Sequence, residues 1–183
     1  MDIEKLDFSK LYLVTEKKGY RFTYDGKSLR VVAPICESPF GVEYFNKKEI
    51  INFHFNKLFG DGNKVTNFTV YTRLIEKIYE QFNNKQLDRT NIPFVNLPNG
   101  FLKDIGGLEF TSVLRPGIKE GTLIRTHLMK NTKFFKMVNN EKVECLKTEL
   151  KGKQCIPTFE FSSLWMYGKK YGLLIYVTEI LIL

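Results

Sequence analysis

The sequence predicts a mainly β fold, an antiparallel barrel or sandwich carrying one helix, and of the two the barrel is favoured. Short runs of β-branched and aromatic residues recur along the chain between turn signals. Only one stretch shows the apolar spacing of a helix. The length of 183 residues suits one hydrophobic core, so residues 1–183 are expected to form a single domain.

Strand-like runs occupy both ends of the chain and leave a gap in the middle. The predicted strands are 11–15, 20–24, 29–32, 41–45, 50–55, 109–114, 122–129, 133–138, 155–165 and 171–183. Asp25-Gly26, between the second and third runs, is a strong hairpin signal. In that hairpin Tyr20, Phe22 and Tyr24 share one strand face, which is either core or part of a binding groove.

The gap between these two groups of strands contains the single predicted helix and a long loop. Val70, Leu74 and Ile78 recur at every fourth position, which predicts an amphipathic helix over residues 67–82 packed against the sheet. Residues 83–107 are rich in Asn, Gly and Pro and predict a long loop. Loops of this length commonly carry function or contact a partner.

The composition departs from the average soluble protein in charge and in aromatic content. Lys and Arg number 28 against 20 Asp and Glu, for a net charge of +8, and aromatic residues make up 14% of the chain. A basic, aromatic surface is suited to phosphates and nucleic-acid bases. The alternative is that the charge serves solubility and the rings fill the core.

Several classes of site and location are not indicated. The three cysteines form no CxxC pair and the two histidines have no metal-ligand spacing, so neither a metal nor a cofactor is expected. No phosphate-binding loop, nucleophile elbow or HExxH motif occurs, so an enzyme is not expected. The N-terminal residues lack the pattern of a secretory signal and no apolar run is long enough to span a membrane. An intracellular, reducing compartment is therefore expected.

Positive charge concentrates between residues 115 and 136. Six cations in this stretch oppose one acid, Glu120; they are Arg115, Lys119, Arg125, Lys130, Lys133 and Lys136. On a strand, Arg125 and His127 project from one face while the apolar residues between them project from the other. The pair Phe134-Phe135 must place one ring outward, and we assign Phe134 as a stacking ring beside the lysines. The alternative is that the cations are ordinary solvated residues and both rings are covered.

A second aromatic and basic cluster lies near the C-terminus. Trp165 and Tyr167 share a strand face, and Lys169 and Lys170 follow in the predicted turn. An exposed ring there could stack on a base, but a lone tryptophan is more often a core anchor than a stacking platform.

Two segments resemble a known family. Residues 157–172, PTFEFSSLWMYGKKYG, and residues 112–122, SVLRPGIKEGT, resemble the single-stranded DNA-binding proteins of large nucleocytoplasmic DNA viruses. That family is similar to a phage replication type built on an OB barrel with a packed helix. The resemblance implies sequence-nonspecific binding of single-stranded DNA in replication, recombination or repair, without catalysis.

The resemblance also carries expectations about partners and location. It implies contact with replication proteins such as a DNA polymerase, possible self-association, and action in the host cytoplasm or at a viral replication site. The phage type ends in an acidic tail closed by an aromatic residue, whereas this sequence ends Thr178-Glu179-Ile180-Leu181-Ile182-Leu183. Tail-mediated recruitment is therefore in doubt, or the chain has been shortened.

The resulting prediction is an OB-type barrel with a groove for single-stranded DNA. The predicted nucleic-acid-binding residues are Arg115, Lys119, Arg125, His127, Lys130, Lys133, Phe134, Trp165, Tyr167, Lys169 and Lys170. Two alternatives remain open at this point. One is a β-rich protein-interaction module that binds no nucleic acid, and the other is an RNA-binding protein, for which the same barrel and rings would serve.

Overall fold

A computed structural model of the chain describes residues 7, 10–17, 19–55, 98–104, 106–111, 113–117 and 121–183. The strands are β1 (Leu11–Glu16), β2 (Gly19–Tyr24), β3 (Leu29–Val32), β4 (Cys36–Ser38), β5 (Val42–Phe45), β6 (Lys48–Phe55), β7 (Glu109–Thr111), β8 (Leu114–Pro116), β9 (Thr122–Val138), β10 (Glu141–Glu144), β11 (Lys153–Tyr167) and β12 (Lys170–Ile182). A short helix, α1 (Phe101–Asp104), precedes β7, and a 3-10 helix spans Lys147–Leu150. The predicted helix 67–82 and residues 83–97 of the predicted loop lie outside the described residues.

Five strands close into a barrel, as the strand-rich sequence predicts. Going round the barrel, the order is β4, β6, β9, β12, β11 and back to β4. In chain order this is first, second, third, fifth and fourth strand, with a parallel pair only between β9 and β12. That cyclic order, with its single parallel pair, is the order of an OB barrel. The prediction of a mainly β barrel is confirmed.

The barrel interior is filled by the alternate residues of these strands. Phe53, Phe159 and Phe161 are almost completely buried, and the ring centroids of Phe53 and Phe159 lie 5.4 Å apart. Side chains of a strand alternate between its two faces, so residues 53 and 55 of β6 and 159 and 161 of β11 point to the same interior. Burial of these large apolar surfaces is the main source of stability of the barrel.

The first hairpin differs from the prediction. β2 pairs with β1 and not with β3, and the Asp25-Gly26 turn closes on a single bridge between Tyr24 and Lys27. The turn forms as its residues suggest, with φ of 50° at Asp25 and 75° at Gly26. β3 then separates and pairs with β11, where Leu29 and Val31 are fully buried. Burial in the barrel therefore decides the partner of β3.

The rings of β2 belong to the core and not to a groove. Tyr20 and Phe22 are 4% and 1% exposed. The Tyr20 hydroxyl donates a hydrogen bond to the carboxylate of Asp104 in α1, so this helix is tied to the barrel. Burial and the neighbouring carboxylate together raise the pKa of Tyr20 to about 12.

Within the described residues, no helix is long and apolar enough to cross a membrane.

β9 is one strand of 17 residues, where the sequence predicts two. Its parallel pairing with β12 is interrupted after His127 and Leu128 and resumes at Lys133. Thr132 holds the irregular segment in place: its hydroxyl oxygen accepts from the Met129 N–H at 2.9 Å, and the hydroxyl donates to the Val177 carbonyl at 2.6 Å. The strand thus continues through an irregular segment, and Ile124 and Thr126 before it face the barrel interior as Phe134 does after it.

Candidate nucleic-acid interface

A cleft of about 470 Å³ opens on the outside of the barrel where β9 and β12 diverge. Direct pairing between these strands begins only at His127 and Tyr176. Before that point, β7 pairs with the start of β12 and β8 pairs with the start of β9. The cleft is therefore bounded by the β7–β8 segment, by β9, by the ends of β11 and β12, and by the β5–β6 hairpin.

Two aromatic rings stand on the β11 side of the cleft. Trp165 is partly exposed and Tyr167, at the end of the strand, is 85% exposed. Trp165 lies directly opposite Gly172 of β12 in the β11–β12 pair. A Cβ at Gly172 would approach the Trp165 ring to 2.8 Å, so the absence of a side chain there lets the indole lie across β12. Large exposed rings at the end of a strand are available to stack on a planar ligand.

The guanidinium of Arg125, a cation of the cleft, is held by an aromatic ring and by a hydrogen bond. Its guanidinium carbon lies 5.0 Å from the centroid of the Phe45 ring, and its Nε donates to the Asn52 Oδ1 at 3.4 Å. Partial burial and the positive charge of Arg115 both lower the pKa of Arg125, and the Glu43 carboxylate opposes them more weakly. The group remains charged at neutral pH because an arginine is protonated at all ordinary pH values.

The β5–β6 hairpin supplies the opposite wall. Phe45, Asn46 and Lys48 all line the cleft. The hairpin is held to the 3-10 helix by Glu49, whose carboxylate accepts hydrogen bonds from Lys147 and from the Tyr44 hydroxyl. The pKa of Glu49 is lowered, chiefly by the Lys147 hydrogen bond. This contact fixes the position of Phe45 and Lys48 relative to the barrel.

His127 is half-buried at the inner end of the cleft. Its ring packs against Tyr176 with 6.3 Å between centroids. Burial lowers the pKa of His127, and the nearby charges of Lys48 and Arg125 lower it further. The imidazole is therefore neutral at pH 7. Its Nδ1 has no hydrogen-bond partner within the described part of the chain.

The structure brings together five of the predicted binding residues: Arg115, Arg125, His127, Trp165 and Tyr167 all line this cleft. The other predicted lysines are placed differently. Lys169 in the turn after Tyr167 and Lys170 at the start of β12 are both exposed. Lys130 and Lys133 lie further along β9, and none of the four lines the cleft. Lys119 lies outside the described residues.

The predicted outward position of Phe134 is wrong. Phe134 is 7% exposed and belongs to the core, where it pairs with the fully buried Ile180 of β12. Phe135 is the outward ring, and the Lys142 Nζ lies 4.1 Å from its centroid. Counting by twos along β9 from Arg125 places Phe135 on the Arg125 face and Phe134 on the buried face of Ile124 and Thr126, so the regular alternation of a strand would have assigned the outward ring correctly.

Phe45 and Lys48 are cleft residues that the sequence analysis missed. They lie in the run Tyr44-Phe45-Asn46-Lys47-Lys48, which combines rings and cations as the C-terminal cluster does. Asn46 and Lys47 form the turn, with φ of 49° and 63°. The same aromatic and basic signal used elsewhere in the chain would have identified this hairpin.

Metal ligands are not gathered in the described parts of the chain. No three His, Cys, Asp or Glu side chains there approach closely enough to hold an ion. All three cysteines are free thiols; Cys36 and Cys155 are buried opposite each other, with 3.9 Å between their Sγ atoms.

No protein-family model matches the chain, and no curated protein matches its sequence. Solved structures with a similar fold include single-stranded DNA-binding proteins of two bacteriophages. The protein from bacteriophage Enc34 is 12% identical with a TM-score of 0.48, and the match covers 94% of this chain and 89% of that chain. For the same phage protein in complex with single-stranded DNA, the values are 11%, 0.48, 95% and 95%.

The single-stranded DNA-binding protein encoded by bacteriophage T7 is 7% identical with a TM-score of 0.48, and the match covers 84% of this chain and 91% of that chain. All of these structures come from phages, so the resemblance to proteins of nucleocytoplasmic DNA viruses stays a prediction. What the cleft binds has to be argued from the side chains that line it.

Proposed function

We propose that this protein binds single-stranded DNA in the cleft, without sequence preference, as a single OB-type domain in viral DNA replication, recombination or repair. The observation that supports this most strongly is the convergence of cations and exposed rings in one cleft. Lys48, Arg115 and Arg125 line the same cleft as Trp165 and Tyr167. The cations are suited to the phosphate backbone and the rings to the bases.

The chemistry of the cleft favours a flexible single strand over a duplex. Bases can stack on Trp165 and Tyr167 only if they are not already stacked in a helix. Every base has a planar face, so stacking of this kind tolerates any sequence. The phosphates between the bases can then bind the arginines and Lys48, which line the same cleft. Affinity would come from stacking and from release of the counterions around the phosphates.

Within the part of the chain that the structure describes, the cleft arginines have no anionic partner that would compete with a phosphate. Across the described ranges, no carboxylate lies within 4 Å of Arg115 or Arg125, whereas several lysines elsewhere form ion pairs. An unpaired arginine can bind a phosphate through two parallel hydrogen bonds without first breaking an ion pair.

Further parts of the proposal rest on the sequence. The protein would act without catalysis or cofactor in a reducing intracellular compartment, such as the host cytoplasm or a viral replication site. A DNA polymerase and further copies of the chain are proposed partners. Lys119, Lys130, Lys133, Lys169 and Lys170 remain proposed phosphate contacts on the path of the strand beyond the cleft.

Fluorescence anisotropy of labelled oligothymidine, titrated with the protein over a range of salt concentrations, tests the proposal. Each phosphate contact to a single strand contributes roughly 0.7 to the slope of log affinity against log salt. The three lining cations therefore predict a slope of about −2 or steeper. No binding at low salt would contradict the proposal and favour a protein-interaction module. Tighter binding of a matched oligouridine would instead favour an RNA-binding protein.

A further inference from the structure

We infer that Asn52 is a positioning residue that separates the Glu43 carboxylate from Arg125 and so keeps Arg125 free to bind a phosphate. The inference rests on the proposed function and explains how one cation of the cleft, Arg125, stays available to bind a phosphate. Asn52 lies on β6, opposite Arg125 of β9 in the antiparallel pair. It is 7% exposed and is one of the few buried polar residues among the described parts of the chain.

The contacts of Asn52 define the orientation of its amide. Its Nδ2 donates to the Glu43 Oε2 at 2.7 Å, and its Oδ1 accepts from the Arg125 Nε at 3.4 Å. A guanidinium can only donate and a carboxylate can only accept. The opposite amide orientation would therefore lose both hydrogen bonds, so the two neighbours together hold Asn52 in one orientation.

The two contacts differ in strength. The bond to the Glu43 carboxylate is short and charge-assisted, whereas the bond to Arg125 is at the long end of the hydrogen-bond range. Glu43 therefore fixes the amide, and the amide restrains Arg125 only weakly. The Phe45 ring supports the guanidinium from its face. A planar guanidinium held by a ring and one long hydrogen bond keeps most of its five N–H donors available.

Without the amide, the Glu43 carboxylate would be placed to pair with the guanidinium, since Asn52 now hydrogen-bonds to both groups. Glu43 is the carboxylate whose charge acts on Arg125, and it raises the pKa of that group less than burial and Arg115 lower it. The weak influence of Glu43 agrees with a separation by Asn52. Arg115, the other cleft arginine, stands on β8 and adds positive charge on the same side.

The test exchanges the acid and the amide. In the double variant Glu43→Gln with Asn52→Asp, the net charge is unchanged, and the amide introduced on β5 can donate to the carboxylate introduced on β6. The one difference is that a carboxylate now contacts Arg125 directly. We expect the salt slope for oligothymidine to become shallower by about 0.7, which makes binding about fivefold weaker at ~0.1 M salt.

The single variant Glu43→Gln is the matched control. It removes the carboxylate but leaves the Asn52 amide beside Arg125, so we expect its salt slope to equal that of the wild-type protein. A steeper slope in this variant would mean that Glu43 already neutralises Arg125, and the inference would be wrong. This control remains decisive if the double variant does not fold, because Glu43 lies at a hairpin and is only partly buried.

The outcomes separate this inference from the proposed function. If the wild-type protein shows no salt-dependent binding of oligothymidine, the proposed function fails and the inference fails with it. If the wild-type protein binds as proposed but the double variant keeps the full slope, only the role of Asn52 is refuted. Circular dichroism melting of each variant checks that the barrel is intact.

Discussion

Two regions of the molecule place a cation over a phenylalanine ring, and they differ in what else the cation contacts. In the cleft, Arg125 lies over Phe45. On the hairpin formed by residues 133–144, here called the arm, Lys142 lies over Phe135. The arm lysine also pairs with Glu179 at 2.5 Å, whereas no carboxylate among the described residues lies within 4 Å of Arg125.

The difference extends to a second cation of the arm. There, Lys136 pairs with Glu149 at 2.7 Å, and this hydrogen bond raises the pKa of the lysine. In the cleft, burial and a neighbouring cation lower the pKa of Arg125. Cations that are close in sequence thus have opposite environments. Because Arg125 has no carboxylate partner in the described part of the chain, it can gain an anionic partner from a DNA strand without losing another.

The largest expected effect is on DNA affinity, when an aromatic ring is removed from the cleft and, for comparison, from the arm. Trp165→Ala should weaken binding of oligothymidine by roughly 1–3 kcal/mol at every salt concentration, because a stacked base loses its ring. Phe135→Ala on the arm should leave affinity unchanged, since its ring already packs against Lys142. Anisotropy titrations at two salt concentrations measure both. Equal losses in the two variants would refute the distinction between cleft and arm.

Trp165→Phe provides a check against a purely structural role for the indole. A phenyl ring retains a stacking face, so we expect it to recover part of the affinity that Trp165→Ala loses. Thermal melting should be compared alongside, because Trp165 packs across Gly172. Loss of affinity in Trp165→Phe equal to that of the alanine variant would argue against base stacking.

The next largest effect is expected on the salt dependence of binding, when two cations are removed from the cleft or from the arm. Arg115→Ala with Arg125→Ala should make the salt slope shallower by about 1.4, which corresponds to roughly 25-fold weaker binding at ~0.1 M salt. The matched double variant Lys136→Ala with Lys142→Ala removes the same charge from the arm. Its slope should stay near that of the wild-type protein, because those lysines are already paired. Similar slopes in the two double variants would show that net charge, and not the cleft, determines binding.

The smallest effect concerns His127 and pH. Because the pKa of His127 is lowered from its ordinary value of 6.5, the unfolded chain binds the proton more readily than the folded one. Its contribution to folding stability is therefore present above pH 6.5 and is lost as pH falls through 6.5 towards the lowered value. DNA binding should change in the opposite direction, since protonation adds a cation to the cleft.

Anisotropy between pH 8 and about pH 5.5 measures this effect, which should amount to no more than about fivefold at ~0.1 M salt for one added phosphate contact. His127→Gln should remove the pH dependence while keeping the affinity measured at the upper end of this range. An unchanged pH dependence in this variant would assign the effect to another group.

The strands could be predicted from local patterns. Alternation along β6 and β11 specifies which side chains share a face, because the period of a strand is two residues wherever the chain is regular. The same patterns identified Trp165 and Tyr167, since both lie at a strand end beside lysines. These predictions depend only on neighbours in sequence.

The pairing partners of the strands depended on the tertiary structure. In the closed barrel β3 pairs with β11 and not with β2, which precedes it in the sequence. Arg125 meets Phe45 only because β5, β6 and β9 are neighbours in the sheet. Whether a cation is paired or free depends on groups far away in the chain, and those contacts form only when the barrel closes.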